Sequence, residues 1–546
     1  MEDATDWVSR TADAVEARVA LRGPTTPIVC ASGISPSGPI HLGNLREAMT
    51  THLVVQELRR RGRSAEHLHS WDDFDRLRKV PAGIDPAFHA YIGQPIARVP
   101  DPSGEFDSWA TRFIVEFEGA AERMGLRPRW VRQSLAYPAG VYRAGIRRAL
   151  DQRHTIFDIL ARYQTEKLQE VPVEERRRQW WPFQVYCTTC GHDSTQMSTW
   201  DADSSRIDYT CTRCGPNHFL LDEACPGKLV WKADWPMRWA HEGVDFEPGG
   251  EDHSTPGGSF TVGTDIVADV YDSRAPHYIG YGFVGMSGRT KISSSAGTNA
   301  TPEFALRFIE PAILRWLYVR RRVDKKFTID FGAEIWRNYD EWDALTAKAA
   351  ASEAGSPERL EVGRARLGSA GPVPEPALAV PFRLLSSAAD MTNGNVDQIL
   401  RIVRDHLDEA PSGPLDRALE PRLSCAVGWA THCLPDDERL KVRTAFAADT
   451  WAALDDDQRQ AVAVVAERMG SAWTLKGLDG LVYGAPKLVR GLPMDAAPDP
   501  DLKRFQRQVF IALYQLLLGA DTGPRLPTLL LSLGPDAVAS LLVPPA

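Results

Sequence analysis

The sequence contains no run of about 18 apolar residues, the length that a membrane-spanning helix requires. Its most apolar stretch, Phe510 to Gly519, is shorter and predicts a helix of the protein core. Met1 is followed by acidic and polar residues, so no secretory signal is expected. We therefore expect a cytoplasmic protein that does not associate with membranes.

The sequence also has few cysteines and no excess of positive charge. Only eight cysteines occur in 546 residues, and four of them are scattered, which excludes a disulfide framework. The formal net charge of −9 argues against indiscriminate nucleic-acid binding but leaves room for local basic faces. Two basic clusters, at 59–63 and 320–326, are candidates for such faces, and solvated helix ends are the alternative for each.

What the sequence does contain at its start is a strand–helix–strand pattern. Pro27 to Ala31 predicts a buried strand, a Gly/Ser/Pro-rich turn follows, and apolar residues at helical spacing continue to Leu58. Gly62 can end this helix, and Ala65 to Trp71 predicts the next strand. This βαβ unit indicates an α/β fold of the Rossmann type.

The rest of the chain divides into further regions. The α/β pattern is interrupted by a cysteine-bearing stretch and resumes with the apolar runs Lys228–Trp231 and Ile266–Tyr271, and the end of the chain looks all-helical. Within that end, residues 350–376 predict an exposed connection. The predicted domains are the first catalytic half (1–94), an insertion (95–225), the second catalytic half (226–335) and an all-α C-terminal domain (336–546).

The turn between the first strand and helix carries the first chemical motif, Pro36 to Asn44. A helix N-terminus offers unpaired N–H groups to phosphates, glycine allows close approach, and histidine supplies a hydrogen-bond donor. The motif resembles the "HIGH" element of class I aminoacyl-tRNA synthetases, with a histidine that merely caps the helix as the alternative. The resemblance implies ATP contacts by Pro36, Ser37, Gly38, His41, Gly43 and Asn44, with His41 and Asn44 catalytic.

A second motif, Lys291-Ile292-Ser293-Ser294-Ser295, lies about 250 residues later. A lysine beside hydroxyl groups suits the departing pyrophosphate, because its ammonium group neutralises phosphate charge. The run resembles the class I "KMSKS" loop, which implies ATP binding by Lys291 and catalytic roles for Lys291, Ser293 and Ser294. Ala296 stands where the family commonly has a second lysine; a solvated loop is the alternative reading.

Longer segments resemble class I lysyl-tRNA synthetases over essentially the whole chain. They are 71–81, 227–239, 250–253 with 257–259, and 513–526. The resemblance implies that Gly33, Ser35, Trp231 and His253 line an amino-acid site. It departs from the family at Glu251, where the usual residue is lysine.

A lysine pocket requires a carboxylate for the ammonium group and aromatic walls for the aliphatic stem. Several acids are available, and the sequence leaves open which of them acts: Asp72, Asp73, Asp234, Glu251 and Asp252. Trp231, Trp235, Trp239 and Tyr281 are candidate walls, with core packing as the alternative for each tryptophan. Asp72 and Tyr281 are included among the candidate substrate-binding residues.

Four cysteines have the spacing of a metal site. Cys187-x2-Cys190 and Cys211-x2-Cys214 are separated by twenty residues, which matches a zinc ribbon. A closed four-cysteine site holds structural rather than catalytic zinc; the alternative is a ribbon with four free cysteines. His192 is a spare candidate ligand, and in the family such an insertion lies near the tRNA acceptor end.

The sequence and its resemblance together predict lysine–tRNA ligation through a lysyl-adenylate. ATP, Mg²⁺ and structural Zn²⁺ are the expected cofactors, L-lysine and tRNA(Lys) are the partners, and a monomer is expected. By resemblance, residues 336–546 bind the anticodon. The departures at Ala296 and Glu251 leave two alternatives: a paralogue that activates lysine or a relative for a biosynthetic acceptor, and a non-catalytic regulator that binds tRNA or lysine.

Overall fold

The computed structural model describes residues 6–22, 27–81, 83–163, 171–251, 253–255, 257–287, 301–407, 413–434 and 439–545. The N-terminal part alternates helices with parallel strands. Its elements are α1 (Trp7–Arg22), β1 (Ile28–Ile34), α2 (Leu42–Arg60), β2 (Ala65–Trp71), 3-10 helices at Pro86–Tyr91 and Ile96–Arg98, α3 (Trp109–Arg123) and β3 (Arg129–Arg132).

The next part combines four helices with short antiparallel strands. It contains α4 (Gln133–Ala136), α5 (Arg143–Asp151), α6 (Arg153–Arg162), α7 (Val173–Gln179), β4 (Phe183–Val185), β5 (Thr195–Asp201), β6 (Arg206–Cys211), β7 (Gly215–Leu220) and β8 (Gly227–Leu229). Strands β5, β6 and β7 form one antiparallel sheet, and β4 pairs with β8 in another.

The α/β pattern then resumes. Its elements are α8 (Trp231–Glu242), β9 (Val244–Gly250), α9 (Ser259–Tyr271), β10 (His277–Tyr281), β11 (Val284–Ser287), α10 (Pro302–Ala305), α11 (Pro311–Val319) and β12 (Phe327–Asp330). The predicted apolar runs are not strands of the main sheet: one pairs with β4, and the other forms the end of α9.

The C-terminal part is helical apart from one pair of two-residue strands. It contains α12 (Glu334–Ala351), α13 (Pro357–Arg366), β13 (Leu367–Gly368), β14 (Gly371–Pro372), α14 (Phe382–Met391), α15 (Val396–His406), α16 (Leu415–Leu419), α17 (Arg422–His432), α18 (Ala448–Ala453), α19 (Asp456–Arg468), a 3-10 helix at Met469–Ala472, α20 (Leu475–Val489), α21 (Pro500–Leu517), α22 (Leu526–Leu533) and α23 (Pro535–Leu542).

Five parallel strands form the central sheet in the order β10–β9–β1–β2–β3. Strand β1 has β2 on one side and β9 on the other, so the strand order reverses at β1. Crevices beyond the carboxyl ends of strands at such a reversal are the usual ligand sites of open α/β sheets. The predicted α/β class is therefore confirmed. The carboxyl end of β1 lies at the strand-order reversal, where such sheets usually bind ligands.

Two regions differ from the sequence expectation. Strand β3 belongs to the central sheet although its residues lie within 95–225. Residues 350–376 are not an irregular connection throughout, because they include α13. The buried guanidinium group of Arg315 holds the end of that helix by donating to the carbonyl groups of Arg364 and Ala365 at 2.8 and 2.7 Å.

The apolar helices of the C-terminal part pack into one core with α2 and α11. Helix α21 contains the stretch predicted as a core helix, with Leu513, Leu516 and Leu517 fully buried. In the part of the chain that the structure describes, no helix has the length and apolarity needed to cross a membrane.

Candidate active site

The first predicted motif lies where β1 ends and α2 begins. His41 is the N-cap of α2: its Nδ1 accepts from the Gly43 N–H at 3.0 Å, and its own N–H donates to Asn44 Oδ1 at 3.3 Å. Partial burial lowers the pKa of His41, which favours the neutral ring. Because Nδ1 is occupied as an acceptor, the proton of the neutral ring belongs on Nε2, which can then donate to an anion.

Gly43 is required by the close approach of this histidine. A Cβ at position 43 would lie 2.8 Å from the His41 ring and 3.5 Å from the Val284 carbonyl oxygen. Strand β11 thus starts beside the N-terminus of α2. The opposite side of the turn is held by the Trp109 indole, which donates to the Ser37 carbonyl at 3.0 Å.

The rest of the turn offers open space. Pro36 is buried and Ser35 is half-buried, whereas Ser37 is exposed, and a Cβ on Gly38 would meet nothing within 4 Å. The turn is thus accessible beside the N-terminus of α2, where backbone N–H groups suit phosphate groups.

A residue that sequence reasoning missed, Glu47, lies between the carboxyl ends of β1 and β10, the region that we call the crevice. Its carboxylate accepts from the Gly33 N–H at 2.6 Å and from the Tyr281 hydroxyl at 2.8 Å, so it joins the carboxyl ends of β1 and β10. No described lysine or arginine forms an ion pair with it. The sequence signal that could have found Glu47 is its position on the predicted helix, one turn before Thr51. In the structure, the Thr51 hydroxyl donates to the Ala31 carbonyl of β1 at 3.1 Å, so this face of α2 lies against β1.

The electrostatics of the crevice favour a cation. Removal from water raises the pKa of Glu47 to about 8, that of Glu247 to about 7 and that of Asp72 to about 6. Glu247 and Asp72 also raise the Glu47 pKa through their negative charge. A cationic ligand would relieve this repulsion, since an opposite charge favours the ionised form of a carboxyl group.

A group of aromatic side chains lies near Asp72, whose partner Arg238 contacts the Trp231 ring. Trp231 stacks on Trp235 at a ring-centroid distance of 5.2 Å, and His253 lies 6.3 Å from Trp231 and 5.7 Å from Trp235. Trp231 and His253 are half-buried, whereas Trp235 and Trp239 are buried in the core. The structure therefore brings the two predicted substrate-lining residues together and gives Trp235 and Trp239 packing roles.

The other candidate acids already have partners. Asp72 accepts from Arg238 at 3.0 Å, and this guanidinium group lies 5.4 Å from the Trp231 ring. Asp73 pairs with Arg132 at 2.6 Å. Asp234 pairs with Arg238 at 3.3 Å. Asp72 therefore lies at the crevice, with Arg238 neutralising it.

Glu251 forms an ion pair with Lys326 at 2.5 Å. The charge reversal at this position is thus neutralised locally by a residue of the 320–326 cluster. Asp252 lies outside the described residues, as do Lys291, Ser293, Ser294 and Ala296 of the second motif.

The four paired cysteines converge from two places: Cys187 and Cys190 lie between β4 and β5, Cys211 ends β6, and Cys214 precedes β7. The sulfur atoms of Cys187, Cys190, Cys211 and Cys214 lie within 4.8 Å of one another, and those of Cys190 and Cys211 are 3.8 Å apart. A zinc ion with sulfur ligands at about 2.3 Å sets tetrahedral sulfur–sulfur spacings of about 3.8 Å. The cysteines therefore fit a zinc ion. His192 stands apart, with its ring nitrogens at 2.8 Å from the carbonyl oxygens of Cys190 and Ala90.

Comparisons with known proteins identify the family of this chain. The family model of class I (K) tRNA synthetases matches residues 5–363. The chain is 44% identical to a lysine–tRNA ligase of Streptomyces coelicolor over 573 aligned positions, which cover 99% of this chain and 98% of that protein. Lysine–tRNA ligases of Pyrococcus horikoshii and Treponema pallidum are each 32% identical, with at least 96% of this chain and 97% of each relative covered.

Proposed function

The chain belongs to the family of class I (K) tRNA synthetases, and from this premise we propose that it ligates L-lysine to tRNA(Lys) with ATP. In the first step the lysine carboxylate attacks the α-phosphate of ATP, which gives lysyl-adenylate and pyrophosphate. In the second step a hydroxyl group of the terminal tRNA ribose attacks the lysyl carbonyl, and AMP leaves.

The turn at the end of β1 is the proposed ATP site. The Nε2–H of His41 donates to a phosphate oxygen as charge develops, while Asn44 fixes the backbone of His41. Pro36, Ser37, Gly38 and Gly43 shape the turn. Resemblance to the family supports the roles of Lys291, Ser293 and Ser294 at the pyrophosphate, and Mg²⁺ accompanies the nucleotide and offsets its charge.

The crevice around Glu47 is the proposed lysine site. Glu47 accepts the ε-ammonium group, with the Tyr281 hydroxyl as its neighbour, and Trp231 and His253 line the crevice beside it. Gly33 positions Glu47 through its N–H, and Ser35 lies two residues further along the same turn. Asp72 contributes indirectly, because it positions the Arg238 guanidinium group that packs against Trp231.

The remaining parts of the chain support the same reaction. The four cysteines hold structural zinc in the insertion, and residues 336–546 contact the anticodon region of the tRNA. The division into catalytic halves at 1–94 and 226–335, with the insertion at 95–225, stays part of the proposal. A cytoplasmic monomer suits an enzyme that charges tRNA.

The observation that carries the proposal is the half-buried carboxylate of Glu47 at the strand-order reversal, which joins the carboxyl ends of β1 and β10 and pairs with no lysine or arginine of the described residues. Lysine-dependent pyrophosphate exchange, measured with and without tRNA and followed by charging of total tRNA, tests it. We expect exchange and charging with lysine and neither with glutamate or arginine. Failure of lysine to support charging would refute the proposed function.

A further inference from the structure

The side chain of Arg46 lies buried near the start of α2, directly before Glu47. Arg46 is only 2% exposed, and no described carboxylate forms an ion pair with it. Burial lowers the pKa of its guanidinium group to about 10. A buried charge without a counter-ion is unfavourable unless its donors are hydrogen-bonded, so the partners of this group indicate why an arginine stands here.

Four backbone carbonyl groups accept from the guanidinium group. One of its terminal nitrogens, Nη1, donates to the Gly282 and Lys325 carbonyls, each at 2.8 Å. The other, Nη2, donates to the Val323 carbonyl at 2.7 Å and to the Arg322 carbonyl at 3.0 Å. The four terminal N–H groups of the planar fork are thus all used, and the fork fixes these carbonyls relative to α2.

The four carbonyl groups belong to two segments that meet beside the proposed lysine site. Gly282 directly follows Tyr281 at the end of β10, and residues 322–326 form the turn that leads from α11 to β12. The Gly282 N–H donates to the Val323 carbonyl at 3.0 Å, and a Cβ at position 282 would lie 2.8 Å from backbone atoms of that turn. Arg46 therefore holds two tightly packed segments against α2.

The next residue of α2 contacts the same end of β10. Glu47 accepts from the Tyr281 hydroxyl at 2.8 Å, while Arg46 donates to the Gly282 carbonyl. Hydrogen bonds weaken steeply when the distance grows or the angle bends. Because Gly282 is bonded directly to Tyr281, the quality of the Tyr281–Glu47 hydrogen bond depends on where Arg46 holds Gly282.

We infer that Arg46 is a positioning residue of the lysine site, which keeps the Tyr281 hydroxyl in place against Glu47. The inference rests on the proposed function, because it takes Glu47 as the acceptor of the lysine ammonium group. The Gly33 N–H contacts one oxygen of that carboxylate and the Tyr281 hydroxyl contacts the other. Together they set the orientation in which the carboxylate meets the ammonium group, and Arg46 itself does not touch the substrate.

The first experiment compares Arg46→Lys with Arg315→Lys in the full-length enzyme. Arg315 is the matched control, because its guanidinium group is also buried and also donates to four backbone carbonyls. Those carbonyls belong to residues 124, 364, 365 and 367, none of which belongs to the crevice. A lysine side chain has three N–H groups and no planar fork, so neither variant keeps all four hydrogen bonds.

Arg46→Lys should raise the KM for lysine in pyrophosphate exchange by about tenfold, the scale of losing one hydrogen bond to a charged group. Its kcat should fall by less than about threefold, because Arg46 does not touch the reacting atoms. Arg315→Lys should change the KM for lysine by less than about twofold. Equal KM values in the two variants would reduce Arg46 to a structural residue and overturn the inference.

A double-mutant cycle separates positioning from a general loss of stability. Tyr281→Phe removes the hydroxyl and should itself raise the KM for lysine. If Arg46 acts through that hydroxyl, Arg46→Lys should raise the KM little further in the Tyr281→Phe enzyme. Effects that simply multiply would show that Arg46 does not act through Tyr281.

Gly282→Ala tests the same contact with Arg46 intact, in case Arg46→Lys does not fold. Its Cβ would force the end of β10 and the 322–326 turn apart, so the KM for lysine should rise as it does in Arg46→Lys. Gly285→Ala is the control, since its Cβ would lie 3.4 Å from the Thr328 hydroxyl oxygen and should leave the KM within about twofold. An unchanged KM in Gly282→Ala would contradict the inference.

Failure of the inference can be told apart from failure of the proposed function. If the wild-type enzyme does not exchange pyrophosphate in the presence of lysine, the proposed function is wrong. If the wild-type enzyme does so, and Arg46→Lys and Gly282→Ala keep its KM for lysine, the proposed function stands and the role of Arg46 is refuted.

Discussion

At the scale of single residues, the carboxylate of Glu47 is the feature that favours a cationic substrate. It is half-buried and accepts from the Gly33 N–H and the Tyr281 hydroxyl, and among the described residues no lysine or arginine pairs with it to stabilise its ionised form. The lysine ammonium group supplies that charge, and a neutral amino acid cannot.

We therefore expect Glu47→Gln to lower kcat/KM for lysine by about 100-fold or more, the usual loss when one partner of a desolvated charge pair is removed. Pyrophosphate exchange as a function of lysine concentration measures it. Glu251→Gln is the matched control: its ion pair with Lys326 is exposed, so its activity should stay within about threefold of wild type. Similar losses in both variants would contradict the role of Glu47.

The raised pKa of Glu47 makes lysine affinity depend on pH. With a pKa of about 8, the free carboxyl group is mostly protonated at pH 6 and becomes ionised as the pH rises through 8. Lysine binds the ionised form, so its Kd should fall by about tenfold per pH unit up to pH 8 and then level off. Calorimetric titrations in buffers of different ionisation enthalpy should show proton release on binding below pH 8, and Glu47→Gln should abolish both effects.

Substitution of His41 tests the proposed ATP site at the end of β1. Its Nδ1 is occupied by the helix cap, so its Nε2–H is the group that reaches an oxyanion. We expect His41→Ala to slow adenylate formation by about 100-fold or more, the scale of losing one transition-state donor. Single-turnover kinetics measure this step, and an unchanged rate would remove His41 from the mechanism.

At the scale of elements, the cysteine cluster joins the segment between β4 and β5 to the end of β6 and the turn before β7. Gln184 of β4 donates to the carbonyl of Asp193 at 3.0 Å and to Thr195 of β5 at 3.2 Å, so β4 is tied to the start of β5. A metal at the cluster would therefore stabilise the packing of these short strands.

We expect about one zinc ion per chain by elemental analysis and loss of that metal in Cys190→Ser. Metal loss should impair tRNA charging more than it impairs pyrophosphate exchange, because the strands next to the cluster, β4 to β7, are not part of the central sheet. Thr188→Ser, beside the cluster, should retain the metal. A metal-free chain with normal charging would contradict a structural role for the cluster.

At the scale of the whole molecule, a buried ion pair joins the α/β part to the C-terminal helices. Arg422 at the start of α17 pairs with Glu310 at 2.6 Å and with Asp343 of α12 at 2.8 Å, and both Arg422 and Glu310 are almost fully buried. Burial raises the pKa of Glu310 to about 7 despite the guanidinium group.

We expect Arg422→Ala to lower the free energy of unfolding by about 3 to 5 kcal/mol, since it leaves Glu310 buried without its cation. Thermal unfolding measures the change. The Arg422→Ala loss should be larger at pH 8 than at pH 6, because the unpaired carboxyl group is protonated at the lower pH. Arg383→Ala, which breaks an exposed pair with Asp340, should change stability by less than about 1 kcal/mol.

The local sequence determined the elements that depend on local spacing. Strands β1 and β2, helix α2 and the cysteine quartet were all predicted, because hydrophobic periodicity and ligand spacing act over a few residues, whereas the helix cap at His41 was only the alternative interpretation of that histidine. The place of β3 in the central sheet was not predicted, because its four residues show no such pattern and pair with β2 across more than fifty residues.

Only the tertiary structure decided which acid faces the crevice and what lies around it. Asp72, Asp73 and Asp234 are as acidic in sequence as Glu47, but each has an arginine partner that comes from a distant segment or from the next helical turn. The sequence determines which residues carry charge. Whether each charge has an opposite charge beside it depends on contacts that form only when the chain is folded.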